Sequence, residues 1–143
     1  MRWLLLIYKV PNEPSARRVY VWRKLKGMGA LLLQDSAWVL PTTPQTREKL
    51  MWLTAEIKEM EGGSATLWEA DAAFTGQEDS LVQQFTAQVD ELYREIMTQL
   101  EQTEVDIAAL SKRYQHAQTR DYFQSAFGQQ VRDALLRRRG DDS

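Results

Sequence analysis

The sequence predicts an α+β protein: a ferredoxin-like βαββαβ domain over residues 1–75, then a long helical arm with a short return helix over residues 76–143. Three observations carry this reading. Short apolar runs alternate with helical spacing in the order β-α-β-β-α-β, the split βαβ pattern. Glycine pairs and prolines punctuate the runs at each boundary. Strand signals stop at Gln77, and apolar residues then recur only at three- and four-residue spacing.

Trp3–Val10 is apolar without alternation, as expected of a central strand covered on both faces. Pro11-Asn12-Glu13-Pro14 ends it, and Ser15 is placed to cap a helix. On a helical wheel Val19, Val21, Trp22, Leu25 and Met28 share the inner half, while Arg17, Tyr20, Arg23 and Lys24 share the outer. Arg18 falls inside the apolar arc. Gly27 and Gly29 close the helix. Ala30–Leu33 and Ala37–Leu40 form a hairpin about Gln34-Asp35-Ser36. Thr43-Pro44 reads as an N-cap followed by proline at the first helical position. Leu50, Leu53, Ile57 and Met60 give that second helix its apolar stripe, and Gly62-Gly63 ends it. Ala65–Phe74 alternates, with Leu67, Glu69 and Asp71 on one face; its charges suit an edge strand.

In the arm, Leu81, Phe85, Val89, Leu92, Ile96 and Leu100 keep helical spacing. Ile107, Leu110 and Tyr114 continue it after a polar gap at Thr103, so the spacing predicts one helix longer than about 35 residues. Thr119–Phe123 and Gly128 mark a bend, and Gln129–Arg138 a return helix with Val131, Leu135 and Leu136. Arg137-Arg138-Arg139 form a basic tip before an acidic, frayed end.

Composition narrows the function. Hydrophobic residues are 43% of 143, enough to bury a core. Cysteine is absent, which removes disulfides, thiolate zinc sites and cysteine nucleophiles. The longest strictly apolar run, Trp3–Tyr8, is far too short to span a bilayer, and no cleavage site follows it. The expectation is a cytoplasmic protein with no membrane partner. Residues 1–30 carry seven basic groups and one acid; the remainder carries 11 basic and 19 acidic. A basic head on an acidic body expects an anionic partner, or mutual neutralisation within a dimer.

Catalytic material is scarce. His116 is the only histidine and sits among polar neighbours, as a solvated side chain does. Glu69 and Asp71 are more simply solvated or arginine-paired than metal ligands. Gly27-Met28-Gly29 follows a helix instead of opening one, so it is no phosphate loop. We expect no enzyme, no cofactor and no metal. Arg17, Arg18, Arg23 and Lys24 beside Tyr20 are the candidate site: these side chains meet DNA phosphates or an oxyanion, or form a solvated helix face.

The segments WLLLIYKVPNEPSARRVYVWRKLKGMGALLLQDSAWVLP, LWEADAAF and RDYF resemble the N-terminal part of the ChrB proteins, bacterial regulators associated with chromate-resistance operons. More distantly the chain is similar to the central domain of phenylacetate-responsive repressors, and through it to small dimeric nucleases of CRISPR adaptation. The resemblance implies a transcriptional regulator acting as a homodimer; of the readings of Arg17, Arg18, Tyr20, Arg23 and Lys24 it favours contact with promoter DNA, with chromate or another oxyanion as candidate effector. A non-catalytic protein-interaction or oxyanion-sensing module is the alternative. ChrB proteins usually continue into a C-terminal domain, which this chain stops short of. Tyr8-Lys9 stands where those nucleases carry a metal-binding Asp.

Overall fold

The computed structural model describes residues 1–141; of the acidic end expected to fray, Asp142 and Ser143 lie outside the described residues. The chain divides into two units, Met1–Glu78 and Asp79–Ser143.

In the first unit the elements run β1 (Arg2–Lys9), α1 (Ser15–Gly27), β2 (Leu31–Gln34), β3 (Ala37–Pro41), α2 (Pro44–Glu59) and β4 (Ser64–Asp71). They build one antiparallel sheet in the order β2-β3-β1-β4, which puts β4 at an edge. The register fixes the faces. Leu4 and Leu6 of β1 stand opposite Leu40 and Trp38 on one side, and opposite Glu69 and Leu67 on the other. This is the face that α1 and α2 cover, and Leu4, Leu6 and Leu40 are buried there. On the second face, Trp3 is closed by its indole N–H donating to Glu78 Oε1 at 3.2 Å. Ile7 and Trp68, farther along that face, stay 47% and 56% exposed. The central strand is therefore covered fully on one face only.

The capping of the two helices differs. Thr43 Oγ1 accepts the Thr46 N–H at 3.0 Å, Thr46 Oγ1 accepts the Thr43 N–H at 2.8 Å, and Pro44 occupies the first turn as its fixed φ favours. At α1 the cap position is Pro14, with no side-chain bond, so Ser15 does not cap. α1 is also turned from the expected wheel. Val21 and Leu25 are buried, whereas Val19 and Trp22 are 42% and 52% exposed. The buried stripe is centred on the side shared with Arg17, which places Trp22 on a flank.

The second unit holds most of α3 (Thr75–Leu100), with α4 (Ile107–Gln118) and α5 (Ala126–Asp141). The expected continuous helix ends at Leu100. Arg138 explains the stop: its guanidinium donates to the carbonyls of Leu100, Gln102 and Thr103 at 3.3, 3.4 and 3.0 Å. The first is an oxygen that a helix C-terminus leaves without a partner; the other two lie in the loop that follows. Asp106 then caps α4 by accepting the Ala109 N–H at 3.1 Å. The apolar stripe of α3 closes on α4 and α5: Val89, Tyr93, Ile96 and Leu100 share a core with Leu110, Tyr114, Ala117, Val131 and Leu135. The arm is a three-helix unit with its own interior.

Tyr93 is the centre of that interior. Its hydroxyl donates to Asp121 Oδ2 at 2.8 Å, and Asp121 Oδ1 accepts the Ser125 N–H at 2.9 Å. The Ser125 hydroxyl bonds Asp90 in turn. Tyr122 and Phe123 of the RDYF segment set their rings 5.9 and 6.0 Å from Phe85. Gly128 crosses the Tyr93 ring so closely that a Cβ there would lie 2.7 Å from Cε2.

Two stability predictions result. Gly128→Ala meets the face of a buried ring that cannot yield, and overpacking of this kind costs about 1–3 kcal/mol; the urea midpoint falls with unchanged slope. Burial drives the Tyr122 phenol from 10.0 up to about 12, ahead of the opposing Arg120 charge. Burial also raises Tyr93, with the hydrogen bond to Asp121 next in weight. A phenol that holds its proton longer when folded stabilises below the unfolded value and loses that contribution as pH rises toward the folded one. Stability therefore declines from pH 10 to 12, and Tyr122→Phe makes the decline shallower in urea melts across that range.

Candidate nucleic-acid interface

α1 is seated by three contacts. Val21 and Leu25 enter the core, each burial contributing roughly 1.5–3 kcal/mol. Arg17 Nη1 donates to the Glu61 carbonyl at 2.8 Å, tying the first turn of α1 to the end of α2. Pro11, just before α1, packs on the same turn, where a Cβ on Gly62 at φ +76° would fall 2.8 Å from Pro11 Cγ. α2 in turn buries Leu50, Leu53 and Ile57. Lys49, Trp52 and Glu56, at three- and four-residue spacing, consequently share the flank that looks at α1.

Between the two helices lies a groove of about 370 Å³, with Leu53 and Met28 among its walls. Arg23 and Lys24 enter from α1, and Lys49 and Trp52 from α2. Trp52 is 67% exposed, an open aromatic face among cations. Glu56 is the single carboxylate of the lining, and the Tyr20 hydroxyl donates a hydrogen bond to it. That bond, ahead of burial, raises the Tyr20 phenol above its ordinary value. Lys24 Nζ sits 5.5 Å from the centre of the Tyr20 ring. Tyr20 thus occupies the one acid of the groove and leaves three cations and a flat aromatic to face outward. Phosphates suit the cations, and a base or sugar suits the Trp52 face.

The structure divides the residues picked from sequence. Arg23 and Lys24 line the groove. Tyr20 acts through Glu56 and is no free phosphate donor. Arg17 is a structural fastener, half-buried against the Glu61 carbonyl. Arg18 points to the other flank of α1, into a recess of about 590 Å³ shared with Val19, Trp22, Tyr8, Leu32 and Trp38. There burial raises the Tyr8 phenol, against smaller opposing effects of Trp38 and Arg18. Lys49 and Trp52 are not among the residues the sequence singles out; their spacing beside Glu56 becomes a signal only once that flank of α2 faces α1.

On the opposite flank of α2, Arg47 Nη1 meets Glu69 Oε1 at 3.0 Å. Glu69 of β4 therefore pairs with α2 and not with the basic helix. Among the described residues no three His, Asp or Glu side chains gather as a metal site.

Residues 18–117 match the family described as Protein ChrB, N-terminal. Over 76 residues, 53% of this chain, the sequence is 36% identical to Protein ChrB of Cupriavidus metallidurans, and the matched segment spans 23% of that relative. No solved structure matches the chain. Among the described residues no helix is long and apolar enough to cross a membrane.

The division of the arginines is testable by stability alone. Arg17→Ala removes a hydrogen bond from a charged donor to a helix-end carbonyl and lowers unfolding free energy by about 1 kcal/mol. Arg23→Ala, facing the groove, stays within about ±0.5 kcal/mol. Urea titrations of the two variants compare them directly.

Proposed function

The chain belongs to the ChrB N-terminal family, and on that premise we propose that it is a DNA-binding regulator of chromate resistance. In this reading it works as a cytoplasmic homodimer, catalyses nothing, and answers to chromate or another oxyanion. The observation that carries DNA binding is the α1–α2 groove: Arg23, Lys24 and Lys49 converge around Trp52, and the one acid between them is engaged by Tyr20. Cations so placed release condensed counterions when they meet phosphates. The contact set is shifted from the sequence reading: Arg17 drops out, Lys49 and Trp52 enter, and Arg18 contributes only if DNA also follows the far flank.

Absence of catalysis rests on the chemistry of the side chains: Tyr8-Lys9 closes β1 where a metal-binding acid would be needed, and Glu69 is held by Arg47. Support for a dimer comes from the first unit and not from the arm. The apolar stripe of α3 is satisfied within its own unit, so it calls for no second copy. The half-open sheet face, with Ile7 and Trp68 exposed, does.

A protein-interaction module is the second reading, favoured by the recess where Trp22 and Leu32 stand 52% and 51% exposed beside Arg18.

Mobility-shift titrations against chromate-operon promoter DNA at several salt concentrations test the first reading. Arg23→Ala, Lys24→Ala and Lys49→Ala each weaken binding and flatten the plot of log affinity against log salt by about 0.9 per lost contact. Trp52→Ala weakens binding without changing that slope. Light scattering on the same samples returns twice the 16.6 kDa chain mass. Unaltered affinity and slope in the triple variant would leave the groove without a DNA role, and a monomer would remove the dimer.

A further inference from the structure

The second unit contains a basic recess that the DNA reading does not use. From residue 79 to 143 the chain carries eleven acidic and eight basic side chains, so its average surface is acidic. Against that background, Lys112, Arg113, His116 and Arg120 line one cavity of about 210 Å³, with no carboxylate in the lining. Lys112, His116 and Arg120 follow one another at four-residue spacing, and a helical turn continues past the end of α4 to carry the last. The turn is held by the Thr119 hydroxyl, which donates to the His116 carbonyl at 2.6 Å, and by the Arg120 N–H, which donates to the Ala117 carbonyl at 3.0 Å.

A helix C-terminus attracts cations, and that accounts for some of this charge. It leaves two features unexplained. Arg120 Nε is buried with no hydrogen-bond acceptor among the described residues. A buried donor on a charged group is costly to leave unmade. The remaining wall is apolar: Leu92 and Ile96, one turn apart on α3, and Ala117 on α4. Of the four basic groups, Arg113 has its own acid, Glu95 at 3.2 Å, outside the lining.

We propose that this recess between α3 and α4 binds a small organic anion, its oxyanion head on Lys112, His116 and Arg120 and its apolar body on Leu92, Ile96 and Ala117. The apolar wall makes the choice. A bare tetrahedral ion gains nothing from it, whereas a carboxylate or phosphate carried on a small apolar group covers it and keeps water from the cations, where attraction is then stronger. The site is separate from the α1–α2 groove, and its test needs no DNA, so either can fail without the other.

Titration calorimetry and amide chemical shifts on the full chain, at constant ionic strength, compare benzoate with sulfate and chromate as inorganic arms. Benzoate binds with shifts centred on α4, and at least about tenfold more tightly than either inorganic ion, the increment of a partly buried apolar group. Lys112→Gln and Arg120→Gln each weaken benzoate about tenfold, the loss of one charge-assisted hydrogen bond. Arg94→Gln, a cation elsewhere on α3 paired with Glu91, leaves binding unchanged. If Arg120→Gln fails to fold, Lys112→Gln on the exposed face decides alone. Sulfate or chromate binding as tightly as benzoate would overturn the organic ligand. No saturable binding, or an equal loss in Arg94→Gln, would overturn the site.

Discussion

The first unit depends on β1 having a partner along both edges. Its ladder with β4 runs from Arg2 against Asp71 to Lys9 against Ser64, and its ladder with β3 from Trp3 against Pro41 to Ile7 against Ala37. Because side chains alternate, these two registers decide every residue the sheet offers to the helices. A slip by one residue would exchange Leu4 and Leu6 for Leu5 and Ile7 and strand the second helix layer on the wrong surface. It would also move Glu69 away from Arg47, the ion pair that sets the outer flank of α2 against the sheet. The position of α2, and with it Lys49 and Trp52, is inherited from a strand forty residues earlier in the chain.

The α1–α2 groove illustrates how neighbours in sequence acquire unrelated tasks. Arg17 and Arg18 differ by one position and by most of a third of a helical turn. One reaches the α2 terminus and the other a recess on the far flank. Tyr20 is three residues beyond Arg17 and shares its flank, so it too is committed to α2, through Glu56. Only from Arg23 onward does α1 present cations into the groove. A basic helix is thus two kinds of surface: a near side that holds the fold and an end that remains available.

Much of the fold was legible because it rests on local signals. Thr43-Pro44 named its helix start, the charges of β4 named an edge, and the glycines named the ends of α1 and α2. Three features were not legible. The facing of α1 depends on a helix–helix contact that a single-helix wheel does not contain. The end of α3 is enforced by Arg138, 38 positions away from Leu100. Lys49 and Trp52 acquire meaning only beside Arg23 and Lys24, which the tertiary fold supplies. The candidate site was therefore half read: its α1 cations came from charge density, and its α2 half required the packing.

The capping of α3 by Arg138 carries a consequence for how the chain is made. A ribosome releases the N-terminal segments first. By Glu78 every strand of the sheet and the indole lock on Trp3 have emerged, so the first unit can close while synthesis continues. The carbonyls of Leu100, Gln102 and Thr103, at the end of α3 and in the loop after it, have no such early partner. They wait in water until the last turns of α5 arrive, with the Asp106 cap of α4 as the local mark of the break. The break between α3 and α4 is thus marked locally by Asp106, and the return of Arg138 satisfies its carbonyls once α5 has been made.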